Sequence, residues 1–584
     1  MNGSVNRATD WRVLTIIVLL AMFALAIGAR LVQLQWIDRL AFSDRANRQR
    51  TFVESIAARP GDIVDRSGRL MATTISVRSL YAVPAHIVDI TQFARDVAPR
   101  LNLDADRLAE RLTLNRTKQF LWIKRRLTEQ QAIDIRALEM PAESWGFRRE
   151  FLRRYPQGRL AAHILGLRGI DGEGRGGVEQ KLDGVLRGRD GERVLVRDAR
   201  GRVIDVKTEA DRPAEHGRTV VLSLDAVIQL YTERELDRVM EEWRPSSACA
   251  IVIDPATCDV LAMASRPAFD PNNPVDVLPA AWKNTAIASM YEPGSTFKPF
   301  IVAWAVDREI ISRDETFNCE RGAYRMGRRI LHDHHSYGQL SVTDILVKSS
   351  NIGMAKIGER MTNRSLYEAA VTFGFGRRTG TELPGELTGV VRKLSKWNRY
   401  STGSIPMGQE LAVTPLQLIT AHAALANGGK LLSPRLVLGD MEAMDEFGRR
   451  SSPTASAQVV TQTVGAETAA WIVAGPMRGV VQRGTGKKAQ LPGFEVFGKS
   501  GTAQKHDPAT GGYSSNRFVC SFVCGAPADN PRALVLVLVD EPTVGTSHYG
   551  GTVAAPAASR ILEKTLLHLR VPSDASQPRT ANRR

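Results

Sequence analysis

Ser295-Thr296-Phe297-Lys298 is the stretch on which the reading of this chain turns, because Ser349-Ser350-Asn351 and Lys499-Ser500-Gly501-Thr502 follow it in order. A serine hydroxyl is a poor nucleophile until a neighbouring base takes its proton. Serine and lysine at i and i+3 share one face of a helix, within reach of each other. The amine can act as that base only when uncharged, and burial near further cationic groups lowers a lysine pKa in the required direction. Lys499 would supply part of that field, with a hydroxyl neighbour at Thr502. Each short motif alone has a plain structural reading: a helix-start serine, a turn asparagine, a solvated strand lysine. The ordered set of three carries the argument.

Outward from these motifs the pattern alternates between strand and helix. Thr219–Asp225 (TVVLSLD) reads as a strand and Ala226–Trp243 as a long helix with an apolar stripe. CAIVIDPATCDVLAMAS then gives two strands around a Pro-Ala-Thr turn. Helices carry the first two motifs. FEVFGKSGTAQ, RFVCSFVCGA and ALVLVLVDE return to strands, and a last helix is expected near Val553–Leu569. The expectation for residues 216–570 is an α/β mixed domain with a helix-covered sheet.

Upstream, residues 88–140 read as two or three helices, followed by strands and turns to about residue 215. Gly169–Glu179 (GIDGEGRGGVE) fails the alternate-ligand spacing of a calcium loop and reads as a glycine-rich turn. Arg59–Arg69 carries strand and turn signals, and residues 38–58 read as a charged helical stalk. Val13–Ala29 has 17 consecutive residues without a charge. With Leu31–Ile37 it can cross a hydrocarbon core of roughly 30 Å, so 13–37 is expected as one uncleaved anchor after a short tail at 1–12. A cleavable signal peptide is the competing reading, with Ala24-Leu25-Ala26 as its cleavage site. Arg7 and Arg12 face Arg30, Arg39 and Arg45 across it, so charge counting leaves the orientation open. Residues 571–584 read as a polar, disordered tail.

The 78 basic and 62 acidic residues give a net charge of +16, which points to an anionic neighbour. No nucleic-acid motif accompanies it, so a membrane surface or wall polymer is the better expectation. Five cysteines form no disulfide framework; Cys520 and Cys524 on one strand would stand roughly 13 Å apart, too far to bond. His332-Asp333-His334-His335 lacks the paired spacing of a structural zinc site, so no metal or other cofactor is expected. Glu292 reads as first-turn complementarity to a helix dipole.

With these elements placed, the chain resembles a class B penicillin-binding protein, a monofunctional peptidoglycan transpeptidase, over almost its whole length. RPGDIVDRSGRLMA (59–72), YPQGRLAAHILG (155–166) and GRGGVEQKLDGVLRG (174–188) are similar to the family's pedestal segments. MYEPGSTFKPF (290–300), LPGELTG (383–389), GQELAVTPLQL (408–418) and YGGTVAAP (549–556) are similar to its catalytic domain. The resemblance implies a transmembrane anchor, an elongated α+β pedestal over 38–215 and a transpeptidase domain over 216–570, with the membrane-distal parts in the periplasm of a bacterium. It implies acylation of Ser295 by a D-Ala-D-Ala stem peptide, with an amine from a neighbouring strand resolving the ester, and β-lactam antibiotics as inhibitors. Lys298 would be the general base. Ser349 would relay protons, Asn351 would bind Lys298 and the substrate backbone, and Lys499 would set the field. Ser500 and Thr502 would face the substrate carboxylate, and Gly501 would keep bulk away from the strand edge where the peptide lies. The short tail and pedestal wording are most similar to the cell-division type, with the elongation type close behind and a sensor or scaffold as further alternatives. A polytopic lipid-linked glycosyltransferase and other division proteins are the implied partners.

Overall fold

Ala533–Asp540 reads Ala-Leu-Val-Leu-Val-Leu-Val-Asp, and its two sets of alternate residues enter different cores. Successive strand side chains point to opposite faces, so an unbroken apolar run demands cover on both. The computed structural model describes residues 7–198, 203–206, 211–275, 277–440, 457–507, 511–545 and 548–574. It supplies that cover with a five-stranded antiparallel sheet between two helical layers. The strands are β1 (Ser247–Ile253), β2 (Val260–Arg266), β3 (Phe497–Asp507), β4 (Gly512–Ala526) and β5 (Ala533–Asp540), in the order β2-β1-β5-β4-β3. β1 and β2 form the hairpin expected around Pro255-Ala256-Thr257, and β3 is an edge strand of this sheet.

On one face Val535, Val537 and Val539 join Ala248, Ala250 and Val252 of β1. They pack against Ile228, Leu236 and Val239 of helix α1 (Ala226–Trp243) and Ile561, Leu562 and Leu566 of a C-terminal helix (Ala555–His568). On the other face Leu534, Leu536, Ile251 and Ile253 belong to the core that holds helix α2 (Lys298–Asp307). All five cysteines are buried free thiols, and Cys520 and Cys524 share one face as their spacing requires.

The segment 60–187 forms one compact unit with residues 217–584. Its long strand Leu70–Ala82 pairs antiparallel with Trp145–Arg154, from Thr73↔Arg154 to Ala82↔Trp145. Three helices, Ile90–Val97, Ala105–Leu114 and Glu129–Arg136, bury Phe93, Val97, Leu108, Leu112 and Ile135 beside it. Asp89, Asp104 and Thr128 cap their first turns through Gln92, Arg107 and Gln131 backbone N–H groups.

The Arg59–Arg69 segment has a definite task. Fully buried Asp65 accepts the N–H groups of Ser67 and Arg69 (2.8 Å each) and that of Ala226 (3.1 Å), so it helps Asp225 cap α1. Gly174 and Arg175 pair with Leu167 and Arg168 in a small hairpin, the turn that the glycine-rich run leads one to expect. Glu179 at the end of that run is fully buried between Arg153 Nε (2.6 Å) and Arg168 Nε (2.7 Å).

The other unit, Met1–Arg59 with Gly188–His216, is described by itself. Helix Arg7–Val32 runs into a π-turn at Gln33–Ile37, and Trp11–Ile37 is long and apolar enough to cross a membrane. The expected helical stalk is shorter than 38–58. Helix Arg39–Arg50 stops where Thr51–Ile56 pairs antiparallel with Gly191–Arg197, and Val203–Val206 adds a third strand. Thr51-Phe52-Val53 favours a pleated conformation, and its partner lies too far along the chain to be read locally. The end segments 1–6 and 575–584 of the two expected tails lie outside the described residues.

Candidate active site

Gly294–Phe297 forms one 3-10 turn that continues directly into α2 at Lys298. Gly294 has φ +56°, and a Cβ there would stand 3.0 Å from the carbonyl oxygen of Thr502, so the turn is built on a residue without a side chain. Phe297 and Phe300 are buried against Phe373 and Phe375, which fixes the helix start from below. Lys298, one turn after Ser295, is fully buried.

Ser349 lies between helix α3 (Val342–Lys348) and helix α4 (Asn351–Thr372) in the left-handed region, φ +58°. Ser350 caps α4 by accepting the Gly353 N–H at 2.9 Å. Asp333 sits across that helix start and accepts from Ser350 Oγ (2.6 Å), the Asn351 N–H and the Ile352 N–H (3.1 Å). Its carboxylate is therefore occupied in shaping the S-x-N turn. Asn351 Nδ2 donates to the His332 carbonyl at 3.1 Å, which leaves Oδ1 facing inward.

The lysine of the first motif meets the second here. Lys298 Nζ donates to Asn351 Oδ1 (2.8 Å), to the carbonyls of Ser349 (2.7 Å) and Ser350 (3.3 Å), and to Ser349 Oγ (3.3 Å). Lys499 Nζ reaches the same Ser349 Oγ at 3.0 Å and the Ser500 carbonyl at 2.9 Å. One hydroxyl thus bridges two buried amines. Burial pushes the Lys298 amine down to about 7, against the opposing pull of Asp333. Burial, followed by repulsion from Lys298, holds Lys499 well below its ordinary value. Two ammonium groups in one desolvated pocket cannot both stay charged at low cost. Burial thus favours an uncharged amine one turn after Ser295.

The third motif lies on the sheet edge. In β3, Lys499, Ser500, Gly501 and Thr502 pair with Val523, Phe522, Ser521 and Cys520 of β4. The hydroxyl expected beside Lys499 belongs to Ser349, since Thr502 Oγ1 accepts the Gly550 N–H at 3.0 Å on the opposite strand face. A Cβ on Gly501 would stand 2.8 Å from Thr296 Cγ2 and 2.9 Å from the Pro293 carbonyl. The glycine is thus required by the Gly294–Phe297 turn and Pro293 packed against it.

A cavity of about 580 Å³ opens along this edge. Ser295, Ser349, Ser500 and Thr502 line it, together with Arg483, Thr485, Lys487 and Lys488. Thr485 Oγ1 and Ser500 Oγ are 2.7 Å apart. Hydroxyls and cations on one wall suit a carboxylate, and the Ser295 hydroxyl lies at the same opening. The Gly484–Lys488 stretch was not singled out from sequence, although its Gly-Thr-Gly-Lys-Lys run was a visible signal. The two glycines of YGGTVAAP also find their reason: a Cβ on Gly550 would fall 2.2 Å from the Gly501 carbonyl, and one on Gly551 2.2 Å from that of Thr485.

Glu292 departs from expectation. Instead of complementing a helix dipole, it accepts the Glu410 N–H (2.9 Å) and the Tyr513 hydroxyl (3.0 and 2.9 Å to its two oxygens). His422 is a further participant without a local sequence signal. It is buried on Pro415–Ala426, its Nε2 is 3.1 Å from the Thr296 carbonyl, and burial pushes it down to about 3, so it is neutral.

Residues 248–563 match the family model of the penicillin binding protein transpeptidase domain, and residues 55–222 that of the penicillin-binding protein dimerisation domain. The chain is 31% identical over 561 residues to the probable peptidoglycan D,D-transpeptidase PenA of Neisseria meningitidis, covering 96% of this chain and 93% of that protein. It is 30% identical over 528 residues to peptidoglycan D,D-transpeptidase FtsI of Escherichia coli, covering 90% and 86%. Penicillin binding protein 3 of Mycobacterium tuberculosis, solved in complex with aztreonam, superposes with a TM-score of 0.68 at 28% identity, over 89% of this chain and 98% of that one. With likeness running through both domains and three motifs converging on one groove, the chain belongs to the class B penicillin-binding proteins, as a serine-type peptidoglycan D,D-transpeptidase.

Proposed function

We propose that the protein cross-links stem peptides through an ester on Ser295 during septal wall synthesis. In this reading residues 13–37 anchor it in the cytoplasmic membrane, and the pedestal (38–215) and transpeptidase domain (216–570) lie in the periplasm. The supporting observation is the shared hydroxyl of Ser349, held at 3.3 Å by Lys298 Nζ and 3.0 Å by Lys499 Nζ in the cavity that Ser295 lines.

The chemistry follows from that arrangement. Neutral Lys298 takes the proton of Ser295 as Oγ bonds to the carbonyl carbon of the penultimate D-alanine. Ser349 passes the proton to the departing nitrogen as the bond to the terminal D-alanine breaks. Ser500 and Thr502, with Lys499 behind them, hold the terminal carboxylate. Asn351 keeps Lys298 in place and contacts the substrate backbone. The N–H groups of Ser295 and Thr502 receive the developing oxyanion, each worth roughly 3–4 kcal/mol when removed. In the second half the amine of a neighbouring strand attacks the ester, Ser295 leaves as alcohol, and the proton returns by the same route. β-Lactams enter by the first half and stall before the second.

The test is labelling of membranes with a fluorescent penicillin. Wild type is expected to label and Ser295→Ala to stay dark; equal labelling removes Ser295 from the reaction. Depletion in the source bacterium addresses the septal assignment. Filaments are expected, and rounded cells would move the protein to lateral wall growth.

A further inference from the structure

A cavity of about 640 Å³, lined by no residue of the three motifs, opens within the larger unit. Residues between 162 and 180 line one part of it, and residues between 269 and 288, with Leu383, Pro384 and Gly385, line the rest. The Trp282 ring lies against that of Phe269, centroids 4.4 Å apart, and Phe269 meets the His163 ring edge-on at 5.5 Å. Trp282 is still 42% exposed, so part of this aromatic wall is open to a ligand. Two exposed cations, Arg175 and Lys283, share the lining, and among the described residues no carboxylate does. Arg175 already pairs with Glu173, which leaves Lys283 for an anion from outside.

His163 supplies a directional contact. Its Nε2 lies 2.8 Å from the Ala281 carbonyl oxygen, so Nε2 carries the proton and donates it there. Burial pushes the imidazole down to about 4, and the ring stays neutral. Such a ring keeps a lone pair on Nδ1, and among the described residues no donor reaches it. The lining thus favours a ligand with an apolar face for Trp282, a hydrogen-bond donor for Nδ1 and an anion for Lys283. An N-acetyl amino sugar has an apolar C–H face and a rim of O–H and N–H donors, and the peptide hung on it brings carboxylates. That is the chemistry of the polymer on which a peptidoglycan transpeptidase works. We propose that this cavity binds an amino sugar of a peptidoglycan strand, apart from the catalytic groove, with the sugar stacked on Trp282 and a stem-peptide carboxylate at Lys283. Binding here holds the enzyme to its polymer whether or not the catalytic groove is filled.

The experiment uses the full-length protein in detergent, treated with excess penicillin to block the catalytic groove. Calorimetric titration gives Kd for a disaccharide-tetrapeptide, for the disaccharide alone and for the tetrapeptide alone; none ends in D-Ala-D-Ala, so none is a donor. Blocked wild type is expected to bind the disaccharide-tetrapeptide saturably, and the free tetrapeptide about tenfold more weakly. Trp282→Ala is expected to weaken the disaccharide-tetrapeptide about tenfold, and Lys283→Glu to weaken it while leaving the disaccharide alone unchanged. No saturable binding to blocked wild type, equal affinity for the tetrapeptide, or unchanged affinity in Trp282→Ala overturns the proposal. Should Trp282→Ala fail to fold, Lys283→Glu at its exposed position decides, and unchanged affinity there overturns the proposal as well. Both variants should label with penicillin as wild type does, which keeps a failure here distinct from a failure of the Ser295 reading.

Discussion

Lys298 donates to three carbonyl-type oxygens and a hydroxyl, yet burial brings its amine down to about 7. The sign of the pH effect follows. Below that value the amine is an ammonium with no lone pair; above it the lone pair is free to accept the serine proton. The rate of penicillin acylation should therefore rise about tenfold per pH unit on the acid side and level off above neutrality, measured by labelling time courses from pH 5 to 9. Lys298→Arg keeps the donors but cannot deprotonate, so its acylation should fall at least a hundredfold (~) at every pH. That the three motifs meet was suggested by their order in the sequence, and Lys298 does reach Ser349 and Asn351 of the second. The hydrogen bonds of Glu292 were not legible there. Its partner Tyr513 is more than two hundred residues away, and the bond between them exists only once β3 and β4 have turned back over the nucleophile segment.

Between elements, β3 fits closely against the turn carrying Ser295. Gly501→Ala would place a methyl 2.5 Å from Ser521 Oγ and 2.8 Å from Thr296 Cγ2. That overpacking should cost about 1–3 kcal/mol and displace the nucleophile, so Tm should fall along with penicillin labelling. The start of α4 offers a second test. Asp333→Ala frees the Asn351 and Ile352 N–H groups. It should cost about 1–2 kcal/mol by thermal unfolding and slow acylation through a loosened Asn351. The sheet itself was readable in the unbroken apolar run of β5 and in the hairpin around Pro255-Ala256-Thr257. The stalk misled because Arg39–Arg50 really is helical, and only the distant strand Gly191–Arg197 decides that Thr51–Ile56 pairs instead.

Across the larger unit, two buried carboxylates join stretches far apart in sequence. Asp65 helps to cap α1, and Glu179 pairs with both Arg153 and Arg168. Glu179→Gln would leave two buried guanidinium groups short of their shared anion, a loss of about 3–5 kcal/mol that should lower the thermal unfolding midpoint of the intact chain. Family resemblance marked both segments, while the reason for each acid became visible only when its partners were in place. The five thiols behave oppositely, since each lies inside apolar packing. Burial pushes Cys249, Cys258 and Cys520 up to about 12 and raises Cys319 and Cys524 as well. Sulfur is attacked as thiolate, so these buried side chains should react slowly with maleimide while the fold around them stays closed. Alkylation kinetics would then clock the opening of the packing around each thiol, making an unlabelled wild-type chain its own reporter of unfolding.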